Sequence, residues 1–391
     1  MATPRPAAWQ LGAALVAAAL TACGGGTTAP PAPHGATATG PSVGTTTPGT
    51  TPSPTPSPGA VPSPTPGPTI TTLGTYHIAS AKVVVAGISS GGFFGVQMHV
   101  AHSSMFHGAA IYAGGVDWCA QDSVALALAE CGGETVNGQA LYESTLTQSE
   151  AYVDQQSTAA TIDPESGLAG QPVYLWSGTQ DQVVNPKEMA DLASEYTHYG
   201  ARVTFDNAYP ANHGWESPSG QVPCGTAEEP YMITCTGANG QPYDSEQTWL
   251  TLFFGTLQPR NNGTLRGQLL RFDQTAFGAG ASNSMDTNGT IFVPQSCAGG
   301  ATCALVVALH GCLQGHAQIG DDFVTQGGID PWADSNGIIV LYPYAIESQV
   351  QPYNPQGCWD WWGYDDPNYA LKAGTQMSII TAMVQRITGV P

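Results

Sequence analysis

The chain has 391 residues, only 10% of them charged, with 29 Asp and Glu against 9 Lys and Arg and a formal net charge of −20. A nucleic-acid partner would need clustered basic side chains, whereas Lys82, Lys187, Arg202, Arg260 and the rest are scattered, so nucleic acid is excluded and an anionic substrate would be repelled. What remains is a surface of neutral polar groups, glycine and aromatics, which suits a neutral or solid apolar substrate outside the cell; an acidic surface that serves solubility alone is the alternative.

Residues 1–22 carry Arg5 and the apolar run "LGAALVAAALTA", followed by Cys23. The run is too short to span a bilayer and reads as an export signal. Its end, "LTAC", resembles a bacterial lipobox, which would make Cys23 a lipidation site; an ordinary signal cleaved nearby is the alternative. Residues 24–70 are dominated by Gly, Thr, Pro, Ser and Ala, with no charge and no aromatic residue. Such a segment cannot bury enough apolar area to offset its ordering entropy. Its prolines favour polyproline II, so it reads as a semi-rigid spacer that holds a catalytic head off a membrane. Residues 71–391 then form one α/β domain, without a second linker or an internal repeat.

Without Cys23, eight of the nine cysteines remain. Eight allow 105 pairings. Short spacings favour Cys119–Cys131, Cys224–Cys235 and Cys297–Cys303, leaving Cys312 with Cys358. No CxxC pair or His/Cys cluster has zinc spacing, so no metal is expected, and an exported chain favours disulfides.

In chain order, buried parallel strands are expected at 82–88 ("KVVVAGI"), 108–115, 172–178, 201–208, 289–295, 304–311 and 337–345. Helices are expected at 93–103, at 185–200, which opens with Asn-Pro and closes at Gly200, and at 373–389. Their alternation argues for a mainly parallel sheet covered on both faces.

Gly87-Ile88-Ser89-Ser90-Gly91 fits G-x-S-x-G between a strand and a helix, the context of a nucleophile elbow. The glycine frame selects Ser89 as the nucleophile, since Ser90 would need glycine where Ile88 stands. Ser90 keeps a role through its backbone N–H, an oxyanion donor. A serine needs a base, and the base a carboxylate, in the chain order Ser, Asp, His. Asp181 lies just beyond one strand and His213 in a loop beyond the next; Asp206 and Asp163 are weaker candidates for the carboxylate. Among the other histidines, His34 is in the spacer, and His99, His102 and His107 follow the elbow too closely and read as helix-surface or packing residues. His198 caps a helix end, and His77 and His316 lack strand-end context. The second oxyanion donor normally comes from a His-Gly loop upstream of the elbow. Here His310-Gly311-Cys312 lies far downstream, followed by a strand that fits the place before the nucleophile strand. The sheet therefore reads as a circularly permuted α/β-hydrolase sheet. A Cys312–Cys358 bridge would bring "GCWDWWGYDD", with Trp359, Trp361, Trp362 and Tyr364, beside the site as an apolar docking surface.

Over residues 75–390 the chain resembles extracellular poly(3-hydroxybutyrate) depolymerases, in the branch with a circularly permuted catalytic domain that includes the fungal single-domain type. "GISSGG", "YAGGVDWC", "YLWSGTQDQVVNP", "NHGW", "MDTNGTIFVPQSCAGGATC", "VALHGCLQG" and "GCWDWWGY" carry the resemblance. It implies Ser89, Asp181 and His213 as the triad, the Ser90 and Cys312 N–H groups as the oxyanion hole, Trp361 lining the substrate crevice, and the four cysteine pairs above. Many bacterial members carry a C-terminal polymer-binding domain after a linker, whereas this sequence ends at Pro391 with its spacer N-terminal.

The expectation is a serine esterase, exported to the cell surface or beyond, acting as a monomer on a solid or oligomeric polyester without metal or cofactor. Two rivals stand beside it. One is an esterase of the same fold acting on feruloyl, acetyl or soluble hydroxyalkanoate esters. The other is a non-catalytic surface lipoprotein that binds polymer or carbohydrate through its tryptophan loop.

Overall fold

The computed structural model describes residues 70–390 apart from 133–134, 137–138 and 141. The export signal, Cys23 and the spacer up to residue 69 lie outside the described residues. Nine strands join in one sheet. In chain order they are β1 (Ile70–Thr71), β2 (Ile78–Ile88), β3 (Ala109–Tyr112), β4 (Pro172–Trp176), β5 (Arg202–Asp206), β6 (Gln268–Asp273), β7 (Asn288–Val293), β8 (Cys303–Leu309) and β9 (Ile338–Tyr342). Across the sheet they run β1-β6-β7-β9-β8-β2-β3-β4-β5.

From β9 to β5 every neighbouring pair is parallel. One expected strand differs: β7, read as parallel, pairs antiparallel with both β6 and β9. Strand β6 was not anticipated at all. Its Leu269 is 44% exposed, so "QLLRFD" lacks the continuous burial that marks the central strands.

The centre of the sheet follows from composition. β8 (CALVVAL) and β9 (IIVLY) are buried along their whole length. Parallel strands covered on both faces need such unbroken apolar runs. Alternate residues of β2 enter two separate cores. Val83 and Val85 pack with Phe93, Phe94 and Leu309, while Val84, Ala86 and Ile88 pack with Trp215, Trp249 and Phe323.

The order of the strands carries the permutation. β2 pairs with β8 from Leu305↔Val83 to Leu309↔Gly87. The first strand of the parallel region is thus seated beside strands made near the end of the chain. The half-sheet β2-β3-β4-β5 comes first in the sequence and the half-sheet β6-β7-β9-β8 last, an α/β-hydrolase sheet with its front half moved to the C-terminal side.

Helices cover both faces. Ser90–Ala101 begins earlier than expected, because Gly91 and Gly92 belong to the helix and not to the turn. Pro186–His198 starts at Asn185, whose side chain accepts the N–H of Lys187, and Thr375–Thr388 closes at Gly389, where φ is 68°. Leu146–Thr158 and Ser245–Phe254 complete the longer helices. All four expected disulfides are present.

Candidate active site

β2 ends at Ile88, and Ser89 turns the chain into the helix with φ 56° and ψ −124°. This backbone is strained for any residue with a side chain, and strain of this kind concentrates at functional sites. The glycines around it are required sterically. A Cβ on Gly87 would meet the Gly91 carbonyl oxygen at 2.0 Å, and one on Gly91 would meet the His310 carbonyl oxygen at 2.4 Å. The Ser89 N–H donates to Tyr112 O at 2.9 Å, which ties the turn to β3. Ser89 is half-buried whereas Ser90 is buried, so the two adjacent serines differ in access as well as in backbone.

Asp181 follows β4 and His213 follows β5. Their loops are clamped together: Thr179 N–H donates to Tyr209 O at 2.9 Å and Gln180 N–H to Ala211 O at 3.0 Å. Gly178 lies against Ala211, where a Cβ would come within 2.2 Å of the Ala211 carbonyl oxygen. The result is a hydrogen bond of 2.9 Å from His213 Nδ1 to Asp181 Oδ2, with both side chains buried. The other oxygen, Oδ1, accepts the N–H groups of Val183 and Val184 at 2.8 and 2.9 Å. A carboxylate only accepts, so Nδ1 carries the proton and Nε2 keeps a free lone pair. The rival carboxylates are committed elsewhere. Asp206 accepts from Tyr174 and Tyr243, and Asp163 is paired with Lys372 and Ser104. His99, as expected, is a packing residue, buried between Tyr196 and Gln171.

A chain of contacts leads from the elbow to His213. A Cβ on Gly311 would lie 3.1 Å from Ser89 Cβ. Gly311 N–H donates to Gln314 Oε1, and Gln314 Nε2 donates to Pro230 O, each at 2.7 Å. The next residue, Tyr231, sets its ring edge-on to His213 with centroids 6.2 Å apart. His310 is buried beside this turn, and burial pushes its imidazole down to about 4. Among the described residues, neither the Ser90 nor the Cys312 N–H donates to a protein acceptor.

The tryptophan loop reaches the site through Cys312–Cys358 and through a hydrogen bond of 3.4 Å from Trp359 N–H to Ser90 Oγ. Its expected role as an apolar surface is corrected at Trp359. That residue has 0% exposure and packs on Phe94 and His310, with ring centroids 5.5 and 5.2 Å away. Trp361 and Trp362 are half-buried; Trp361 stacks on Phe93 at 4.2 Å and meets Trp362 edge-on at 5.4 Å. Tyr364 is half-buried too, with its hydroxyl bonded to Cys358 O at 2.8 Å.

Sequence reasoning missed Asp360, which organises this loop. Its carboxylate accepts four backbone N–H groups, from Gly363, Tyr364, Asp365 and Asp366. Burial pushes its carboxyl up to about 7, against the opposing pull of those four donors. An Asp flanked by tryptophans in a Gly-rich loop was the available signal.

The Prolyl oligopeptidase family pattern matches residues 72–234, the stretch that runs from β2 through His213. The chain is 37% identical over 317 residues to a poly(3-hydroxybutyrate) depolymerase of Delftia acidovorans, covering 80% of this chain and 60% of that one, so it spans less than two thirds of that relative. It is 33% identical over 332 residues to a polyhydroxybutyrate depolymerase of Talaromyces funiculosus, covering 81% of this chain and 92% of that protein. Among solved structures, the PHB depolymerase from Penicillium funiculosum superposes with a TM-score of 0.72 at 32% identity, over 82% of this chain and 99% of its own. A PHB depolymerase variant complexed with R3HB trimer superposes equally well, with the same identity and coverage. Sequence similarity over nearly the full length of the Talaromyces protein, together with the matching fold of the solved depolymerase structures, means that this chain belongs to the polyhydroxybutyrate depolymerase family.

Proposed function

We propose that this chain is an exported serine esterase that hydrolyses poly(3-hydroxybutyrate) or related short-side-chain polyhydroxyalkanoates. The observation that carries the reading is the buried His213–Asp181 hydrogen bond of 2.9 Å, on loops linked to the strained turn at Ser89. The free Nε2 of His213 takes the proton of Ser89 Oγ as that oxygen attacks the ester carbonyl. The tetrahedral oxyanion accepts the N–H groups of Ser90 and Cys312, each such donor contributing roughly 10²–10³ in rate. Nε2–H then protonates the leaving hydroxyl, and water, activated by the same nitrogen, releases the acyl group from Ser89. Trp361 and Trp362 offer half-buried apolar walls for a polyester chain, a neutral substrate that an acidic protein does not repel. The chemistry is complete with these side chains and asks for no metal or cofactor, and one chain, acting as a monomer, supplies every group it needs.

The test is incubation with amorphous and crystalline poly(3-hydroxybutyrate), with mass spectrometry of the supernatant. Soluble hydroxybutyrate or its oligomers are the expected products. Turnover confined to aryl, acetyl or feruloyl esters would reassign the substrate while keeping the chemistry.

Cys23 and the proline-rich spacer support a finer reading: a lipid-anchored catalytic unit at the cell surface. Wild-type protein made in a bacterial host should partition into detergent on phase separation, and Cys23→Ala should move it to the aqueous phase. Aqueous partitioning of both would leave a freely secreted enzyme.

A further inference from the structure

We infer that Gln314 is a positioning residue that aims the Cys312 N–H at the reacting ester and locks that donor to the Pro230–Tyr231 segment packed on His213; the inference rests on the function proposed above. Gln314 is 1% exposed, and both ends of its amide are used. Oε1 accepts the N–H of Gly311 at 2.7 Å, and Nε2 donates to Pro230 O at 2.7 Å. Its own backbone N–H donates to Gly311 O at 3.3 Å, closing a four-residue turn in which Leu313 has φ 61°.

The Gly311–Cys312 peptide is the part that matters. Its carbonyl oxygen accepts from Gln314 N–H and also from His310 Nδ1 at 2.7 Å. Since His310 Nε2 accepts the N–H of Ala345 at 3.0 Å, the His310 ring is fixed with its proton on Nδ1. In a trans peptide the C=O and the N–H point in opposite directions. Two donors pulling Gly311 O to one side therefore aim the Cys312 N–H to the other, and the Gln314 side chain holds the preceding peptide by accepting the Gly311 N–H, so that the turn cannot rotate out of this orientation. Gly311 approaches Ser89 so closely that a Cβ would sit 3.1 Å from Ser89 Cβ. The amide of Gln314 then spans to Pro230, whose neighbour Tyr231 both packs its ring on His213 and accepts the N–H of Trp215 at 2.8 Å. One side chain thus joins the turn that receives negative charge to the Pro230–Tyr231 segment, which packs against the loop that moves the proton. No charged or shorter side chain can do both. Glutamate would set a carboxylate against the Pro230 carbonyl, asparagine would not reach, and methionine keeps the volume but makes neither bond.

The experiment compares wild type, Gln314→Met and Gln314→Glu on p-nitrophenyl butyrate, together with inhibition by butylboronic acid, which forms a tetrahedral adduct on a serine oxygen. Circular dichroism melts identify the folded variants. Gln314→Met is expected to lose about 100-fold in kcat. Its KM should stay within about twofold, because the contact acts on the transition state and not on substrate binding. Boronate inhibition should weaken by the same factor as kcat. Gln314→Glu keeps the acceptor for Gly311 and should lose kcat through the Pro230 contact; it carries the test where Gln314→Met does not fold. Unchanged kcat in a folded variant overturns the inference, and so does a loss of activity that only tracks the folded fraction, or failure of both variants to fold. Ser89→Ala runs beside them. Activity retained there refutes the proposed function itself, whereas a dead Ser89→Ala with a fully active Gln314→Met refutes the role of Gln314 alone.

Discussion

Replacing Ser89 by alanine is expected to abolish ester turnover while the protein remains folded. The change removes one oxygen from a half-buried position and leaves a Cβ in the same left-handed backbone, so the local strain hardly changes. With the proposed nucleophile gone, kcat should fall by about 10⁶-fold, since removing one member of a concerted catalytic set costs nearly as much as removing the set. Clearing of a polymer suspension and labelling by a fluorophosphonate should both disappear, with an unchanged circular dichroism spectrum as the control. Ser90→Ala is the informative contrast. It keeps the backbone N–H and loses only the hydroxyl that accepts Trp359 N–H at 3.4 Å, so it should retain most of its activity. A variant Ser89→Ala that still clears polymer would remove the elbow from the mechanism.

Asp181→Asn should be nearly as damaging for a different reason. The amide oxygen can still accept the N–H groups of Val183 and Val184, so the loop keeps its shape. The amide nitrogen would then face His213 Nδ1 and offer a hydrogen where a lone pair is needed. The imidazole answers by moving its proton to Nε2, and the base that should receive the Ser89 proton is already occupied. A loss of about 10⁴-fold in kcat is expected, with the fold intact. Steady-state kinetics on a soluble ester provides the measurement. Activity within about tenfold of wild type would mean that another carboxylate orients His213, although Asp206 and Asp163 are each held by other partners.

The triad candidates were legible because each rests on a local signal. A glycine frame around Ser89, a strand end before Asp181 and a loop after the next strand for His213 need no knowledge of distant contacts. The permutation was legible from two consecutive downstream segments, His310-Gly311 and the strand after it. Other features were not readable, for physical reasons. An apolar run such as that of β7 states burial but not direction, so its antiparallel pairing could not be seen. Trp359 and Trp361 stand two residues apart in an irregular loop, where no period assigns faces; one is sealed in the core and the other half-buried. Gln314 and Asp360 draw their roles from partners that only the folded chain brings together: for Gln314 the distant Pro230 carbonyl, for Asp360 the N–H groups of a loop that wraps around it.

The four disulfides have a property that lies in their order along the chain. Each joins a cysteine to the next one in sequence within residues 119–358, at separations of 12, 11, 6 and 46. None is nested and none crosses another. Once Cys23 is out of play, as a lipidated or cleaved residue would be, a chain that emerges N-terminus first into an oxidising compartment can pair these eight thiols in order of arrival, and reaches the native connectivity without reshuffling any bond. The last pair to close, Cys312–Cys358, is the one that joins the turn beside Ser89 to the tryptophan loop. Ser89, Asp181 and His213 all emerge in the first 213 residues, but the Gly311–Cys312 turn that packs against Ser89 arrives only with the last third of the chain, so an unfinished chain carries the elbow without that turn.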